Sequence, residues 1–136
     1  MSGLGKVRAG SMMNTLFDTA HIYVSLHNGD PGTAGSGGTE ASGGSYAAVD
    51  TVPADWNSAT NATPPVVTNA NTITFPTATA SWGTATFAGL WTHATTRDEA
   101  NYIGSCLLSQ SYTIPNAAQT SFPAGTLTFT LSRTTD

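Results

Sequence analysis

The chain has 136 residues, a net charge of −4 and only 9% Asp, Glu, Lys and Arg, against about 25% in ordinary soluble domains. Its four basic residues cannot neutralise a row of phosphates, which excludes nucleic acid as a partner. No apolar run approaches the roughly 18 residues that a membrane-spanning helix needs, which excludes membrane insertion.

The length is that of one domain with a hydrophobic core and no need of disulfides, metals or other cofactors. Cys106 is the sole cysteine, so it reads as a small buried hydrophobe. The N-terminus lacks the charged, apolar and cleavable sections of a signal peptide, so synthesis in the cytosol is expected.

From the N-terminus, Ala9, Met12, Met13, Leu16, Phe17 and Ala20 recur at three- and four-residue steps. This stripe predicts a short helix over residues 7–19. Two adjacent methionines suit an adaptable surface, so Met12, Met13 and Phe17 are candidates for subunit contact.

A strand follows over residues 21–27, with Ile22, Val24 and Leu26 on one face and Tyr23, Ser25 and His27 on the other, the alternation of a half-buried sheet. Asn28-Gly29-Asp30-Pro31-Gly32 ends it: Asp30 can hydrogen-bond nearby backbone, Pro31 presets one φ angle, and Gly29 and Gly32 can supply left-handed conformations. Residues 29–45 are too rich in Gly, Ser and Thr for a strand or helix, and an exposed long loop is expected there.

A strand at residues 46–50 leads to a second long loop, 51–65, which ends in Pro64-Pro65 and contains Trp56. A tryptophan in polar surroundings is a fourth candidate for subunit contact, through its large area and low rotamer entropy. Further strands are predicted at 72–75, 84–92, 102–108, 110–114 and 126–131, with the charged turn Thr96-Arg97-Asp98-Glu99 between the second and third of these. About seven short strands at near-regular intervals describe an all-β fold. The expectation is a single antiparallel β-sandwich, jelly-roll- or Ig-like, at residues 21–136, preceded by an N-terminal segment, 1–20, with the short helix.

Catalytic signatures are scarce. His21 and His27 share a face but stand about 20 Å apart at roughly 3.3 Å per residue, too far for one metal ion. His27 and Asp30 are the nearest approach to an acid and base pair, without a nucleophile elbow, phosphate loop or metal-ligand spacing beside them. Asn61-Ala62-Thr63 matches a glycosylation acceptor by coincidence if the host is bacterial.

Leu26 to Gly32, Glu40, Gly43 to Tyr46, Phe75 to Gly83 and Gly89-Leu90-Trp91 together resemble a group of small bacteriophage tail-fibre or minor tail proteins, over most of residues 20–133. The chain departs from that pattern at Ala48, where the group usually has an arginine two residues after the tyrosine. The resemblance implies a virion structural protein without enzymatic activity. With the uncharged surface, it leads to the expectation of a self-associating tail-fibre or minor tail component, by analogy a trimer, that packs on other virion proteins. A capsid decoration protein is the alternative placement. A module binding host surface glycan through Tyr46, Trp56, Trp82 and Trp91 is the alternative of another class, and a weak hydrolase using His27 and Asp30 ranks third.

Overall fold

The computed structural model describes residues 6–18, 21–60 and 65–130. The described residues are mostly β, with one α-helix. Helix α1 (Lys6–Asp18) precedes strands β1 (Ile22–His27), β2 (Val49–Thr51), β3 (Val66–Thr68), β4 (Ile73–Thr74), β5 (Gly83–Trp91), β6 (Tyr102–Ile114), β7 (Ser121–Phe122) and β8 (Thr128–Thr130). One four-stranded sheet has the order β2-β1-β5-β6, and β3 with β8 and β4 with β7 form two-stranded sheets. All pairings are antiparallel. Ala20, Asn61-Ala62-Thr63 and Leu131, which figure in the sequence reading, lie outside the described residues.

The alternation along β1 sorts the large sheet into two faces. Ile22, Val24 and Leu26 join Ala88 and Leu90 of β5 and Cys106 and Leu108 of β6 in the core. Val67 and Phe129 from one small sheet, and Ile73 and Phe122 from the other, belong to that same cluster. Burial pushes the Cys106 thiol up to about 12, against hydrogen bonds to Thr128 and Ala88 backbone, so it is an inert packing group.

Helix α1 attaches by one face. Met13 and Phe17 are buried, and the Phe17 ring lies 4.9 Å from Trp56 and 6.3 Å from Phe129. Trp56 closes the triangle at 5.6 Å from Phe129, and its indole N–H donates to Thr51 Oγ1. The helix carries Met12 and Leu16 on its outer side, 55% and 48% exposed.

Buried Asn69 organises the far end of the core. Its amide nitrogen donates to the carbonyls of Asn71, Phe122 and Pro123, and its Oδ1 accepts from Leu127 N–H. Its backbone joins as well: the carbonyl accepts from Gly125 N–H and the N–H donates to Leu127 O. One side chain thus ties β3 to the turn between β7 and β8.

Two strand expectations change. The strands predicted at 102–108 and 110–114 are one element, β6, with a bulge: between the pairs Phe87↔Leu107 and Ala85↔Tyr112, Thr86 alone faces residues 108–111. The strand predicted at 46–50 starts at Val49, because Tyr46 turns inward as part of the site below.

Candidate functional site

The second face of the large sheet is covered by the glycine-rich loop. Cross-strand pairing places Tyr23 beside Trp91, Ser25 beside Gly89 and His27 beside Phe87 on that face, and Ser25, His27 and Trp91 are nonetheless buried. Gly32 takes the expected left-handed conformation (φ 78°) and Gly29 does not. Asp30 Oδ1 accepts from Gly32 N–H, as the turn chemistry predicts. The loop then folds back: Gly37 N–H donates to Pro31 O, Asn28 N–H to Thr39 O and Ala41 N–H to Leu26 O. The returning chain makes an isolated bridge between Glu40 and His27.

Contact with the sheet explains the loop's composition. Gly35 has φ +76°, and a Cβ there would lie 2.7 Å from the Trp91 ring and 2.8 Å from Tyr102. The Tyr102 hydroxyl donates to Gly32 O. Further along, Trp82 Nε1 and Thr79 N–H both donate to Gly44 O, and the Tyr46 ring meets Trp82 edge-on at 5.2 Å. The long loop is largely exposed, as expected from composition, and docks as a cap by its inner side, because glycine lets the backbone approach aromatic faces that side chains would hold off.

Polar groups lock the cap. Arg97 Nε and Nη2 donate to the two carboxylate oxygens of Glu40 at 2.7 and 3.1 Å, the bidentate geometry that makes such pairs strong. The guanidinium also donates to the carbonyls of His93 and Ala94 and lies 4.9 Å from the Trp91 ring centroid, within cation–π range. The Tyr46 hydroxyl donates to Glu40 Oε2 and accepts from Leu26 N–H. Burial raises the Tyr46 phenol above its ordinary value, and neighbouring Glu40 raises it further. A cleft of about 250 Å³ opens beside this network, with Ala41, Ala47, Ala48 and Ala94 among its walls. Position 48, alanine where the resembling group has arginine, thus faces the same cleft as Arg97.

Beneath the cap, Ser25 Oγ lies 2.7 Å from His27 Nε2 and 2.7 Å from Trp91 Nε1. The indole can only donate. We assign the proton on His27 to Nε2, so that Ser25 accepts twice and donates to Gly89 O at 3.4 Å. His27 Nδ1, which has no partner, is then an unmet acceptor, the less costly choice against an unmet N–H. A Cβ at Gly89 would lie 2.7 Å from Ser25 Oγ and 2.9 Å from His27 Nε2, so the network needs glycine there.

A serine beside a histidine suggests nucleophilic chemistry, but this serine is fully buried and both its lone pairs are engaged. The acid and base pair read from the sequence does not form: Asp30 serves the turn, and His27 faces Ser25. Among the described residues no three His, Cys, Asp or Glu side chains gather to hold a metal ion.

Burial lowers the His27 pKa from its ordinary 6.5, Glu40 raises it and Arg97 lowers it. The ring is neutral in the folded protein, so above pH 6.5 both states are uncharged and nothing is lost. As pH falls below 6.5 the unfolded chain binds the proton first, and the folded state loses stability. Equilibrium unfolding between pH 7 and 5 is expected to show this loss, with a slope of at most about 1.4 kcal/mol per pH unit. A His27→Gln variant should show a flatter profile; an unchanged profile would refute the assignment to His27.

Of the four candidate contact residues, Met13, Phe17 and Trp56 are buried in the chain's own core and Met12 is exposed. The aromatics considered for glycan stacking are largely enclosed: Trp56, Trp82 and Trp91 are buried, and Tyr46 packs against the core. Sequence reasoning missed Arg97 as the cap's anchor and Asn69 as the core's polar hub. The scarcity of charge held the clue to the first, since a cation within an otherwise neutral surface needs a specific partner.

The segments that carried the resemblance are those that build the cap: Leu26 to Gly32 turns into it, Glu40 and Tyr46 lock it, and Trp82, Gly89 and Trp91 receive it. Fold and site together define a β-rich structural protein, its polar residues spent on holding loops in place. The family model for podophage GP4 fiber I protein gp80 matches residues 11–130. The chain belongs to that family: it is a phage fibre protein, a non-enzymatic structural component of the virion. Membership selects the fibre from the two placements considered. No individually curated protein matches the chain.

Proposed function

We propose that the chain is a self-associating fibre subunit whose domain is a β-sandwich. The large sheet forms one layer, and the β3/β8 and β4/β7 pairs the other. Supporting the sandwich, Val24, Leu26 and Leu90 share one core cluster with Val67, Phe129, Ile73 and Phe122. Supporting self-association, Met12 and Leu16 stand one helical turn apart on the outer side of α1, both about half exposed. Apolar residues four apart lie on one helix face, and a second copy covering them meets little charge to desolvate.

Light scattering of the purified chain over a concentration range tests this. A closed oligomer is expected, a trimer by analogy with phage fibres. Met12→Glu should shift it toward monomer while leaving the thermal midpoint within a few degrees, since the residue is exposed. A wild-type chain that stays monomeric at all concentrations would refute the reading.

A further inference from the structure

We propose that strand β6 is a second assembly surface, at which the edge of the large sheet pairs antiparallel with β6 of another copy of this chain. The proposal rests on the self-association reading and adds a specific surface to it. In the order β2-β1-β5-β6 the sheet has two edges, and they differ. β2 is three residues long and carries Asp50, paired with His21, and a short charged edge resists pairing. β6 is thirteen residues long, YIGSCLLSQSYTI, without a charge or a proline. Among the described residues, no strand pairs along its outer side.

A second feature lies on the same strand. Leu107 is 69% exposed, more than any other large apolar side chain among the described residues. It completes the cross-strand row His27, Phe87, Leu107. The cap covers the His27 end of that row, Phe87 is half-buried and Leu107 is open. The adjacent row ends at polar Ser105, and the row beyond it ends under the loop at Tyr102, which hydrogen-bonds Gly32. The apolar strip thus remains uncovered only where it meets the free edge. Main-chain pairing along β6 and side-chain cover for Leu107 would be satisfied by one added strand.

Charge points to the occupant. A strand without Asp, Glu, Lys, Arg or His offers nothing to a charged partner, and a second β6 meets it with neither repulsion nor desolvated charge. A two-fold axis perpendicular to the sheet keeps each face on its own side, so both Leu107 side chains project from the same face of the joined sheet; a closed trimer has no such axis, so the contact joins subunits of two different oligomers. The irregularities at Ile103 and at 108–111 confine regular pairing to 104–107. A contact of that length buries less than the roughly 1,200 Å² of stable complexes, so it acts together with other contacts within an assembly.

The test uses the full chain. Sedimentation velocity is expected to show wild-type oligomers, with Leu107→Lys raising the concentration of half-dissociation at least tenfold, while its unfolding midpoint matches that of the wild type at a concentration where both are monomeric. Ser105→Cys in a Cys106→Ala background, near the centre of the paired segment, should form a disulfide-linked dimer under mild oxidation. Assembly of Leu107→Lys indistinguishable from wild type would overturn the β6 contact and leave self-association standing. A monomeric wild type would overturn both. In intact particles, cross-linking of the cysteine variant solely to a different virion protein would overturn the homotypic pairing.

Discussion

Replacing Trp56 with alanine is expected to destabilise the isolated domain by about 3–5 kcal/mol, the usual cost of removing a large buried aromatic. Trp56 touches both Phe17 of the helix and Phe129 of β8, so its loss opens a void where the helix meets the sheets. It also leaves Thr51 Oγ1 without its donor, a small addition beside the packing loss. Urea unfolding of the variant at a concentration where it is monomeric reads this directly. The contrast with Met12→Glu is informative, because the exposed helix face should affect assembly and the buried face should affect folding. A Trp56→Ala protein as stable as wild type but unable to assemble would assign the tryptophan to a subunit interface instead.

Asn69→Leu should have an effect of similar size, about 3–5 kcal/mol, through a different mechanism. Leucine fits the volume but strands buried partners, each unmet group costing about 1–3 kcal/mol. Phe122 O and Leu127 N–H lose their Asn69 partner at once, whereas Pro123 O keeps the hydroxyl and N–H of Thr126. At this chain length the thermal midpoint should fall by about 9–25 °C, at roughly 3–5 °C per kcal/mol. Asn69→Asp separates the components, since it keeps the acceptor for Leu127 N–H and removes both amide hydrogens. A Leu variant as stable as wild type would show that water satisfies these groups.

The fold was legible where periodicity was long enough to read. The apolar stripe over 7–19 corresponds to α1, and the alternation over 21–27 and 84–92 to β1 and β5, each within a residue or two. β3 and β7 escaped because strands of three and two residues contribute one buried side chain apiece, Val67 and Phe122, and one residue has no period. Asn69 escaped for another reason: its worth lies in partners as distant in sequence as Pro123. The cap was half legible. Glycine, Asp30 and Pro31 announced the turn, but nothing local shows that Arg97, 57 positions away, holds Glu40. The loop is largely exposed, as its polarity predicts; what polarity does not show is that its inner side lies on aromatic rings that glycine backbone can approach.

The same parsimony of charge sets how this protein meets its surroundings. The described residues contain two ion pairs, and only Glu40 with Arg97 is substantially shielded, with side chains about a fifth exposed. Mobile ions screen charges that face water and do little to sheltered ones. A fold held by neutral hydrogen bonds, aromatic contacts and one sheltered pair is therefore nearly indifferent to ionic strength.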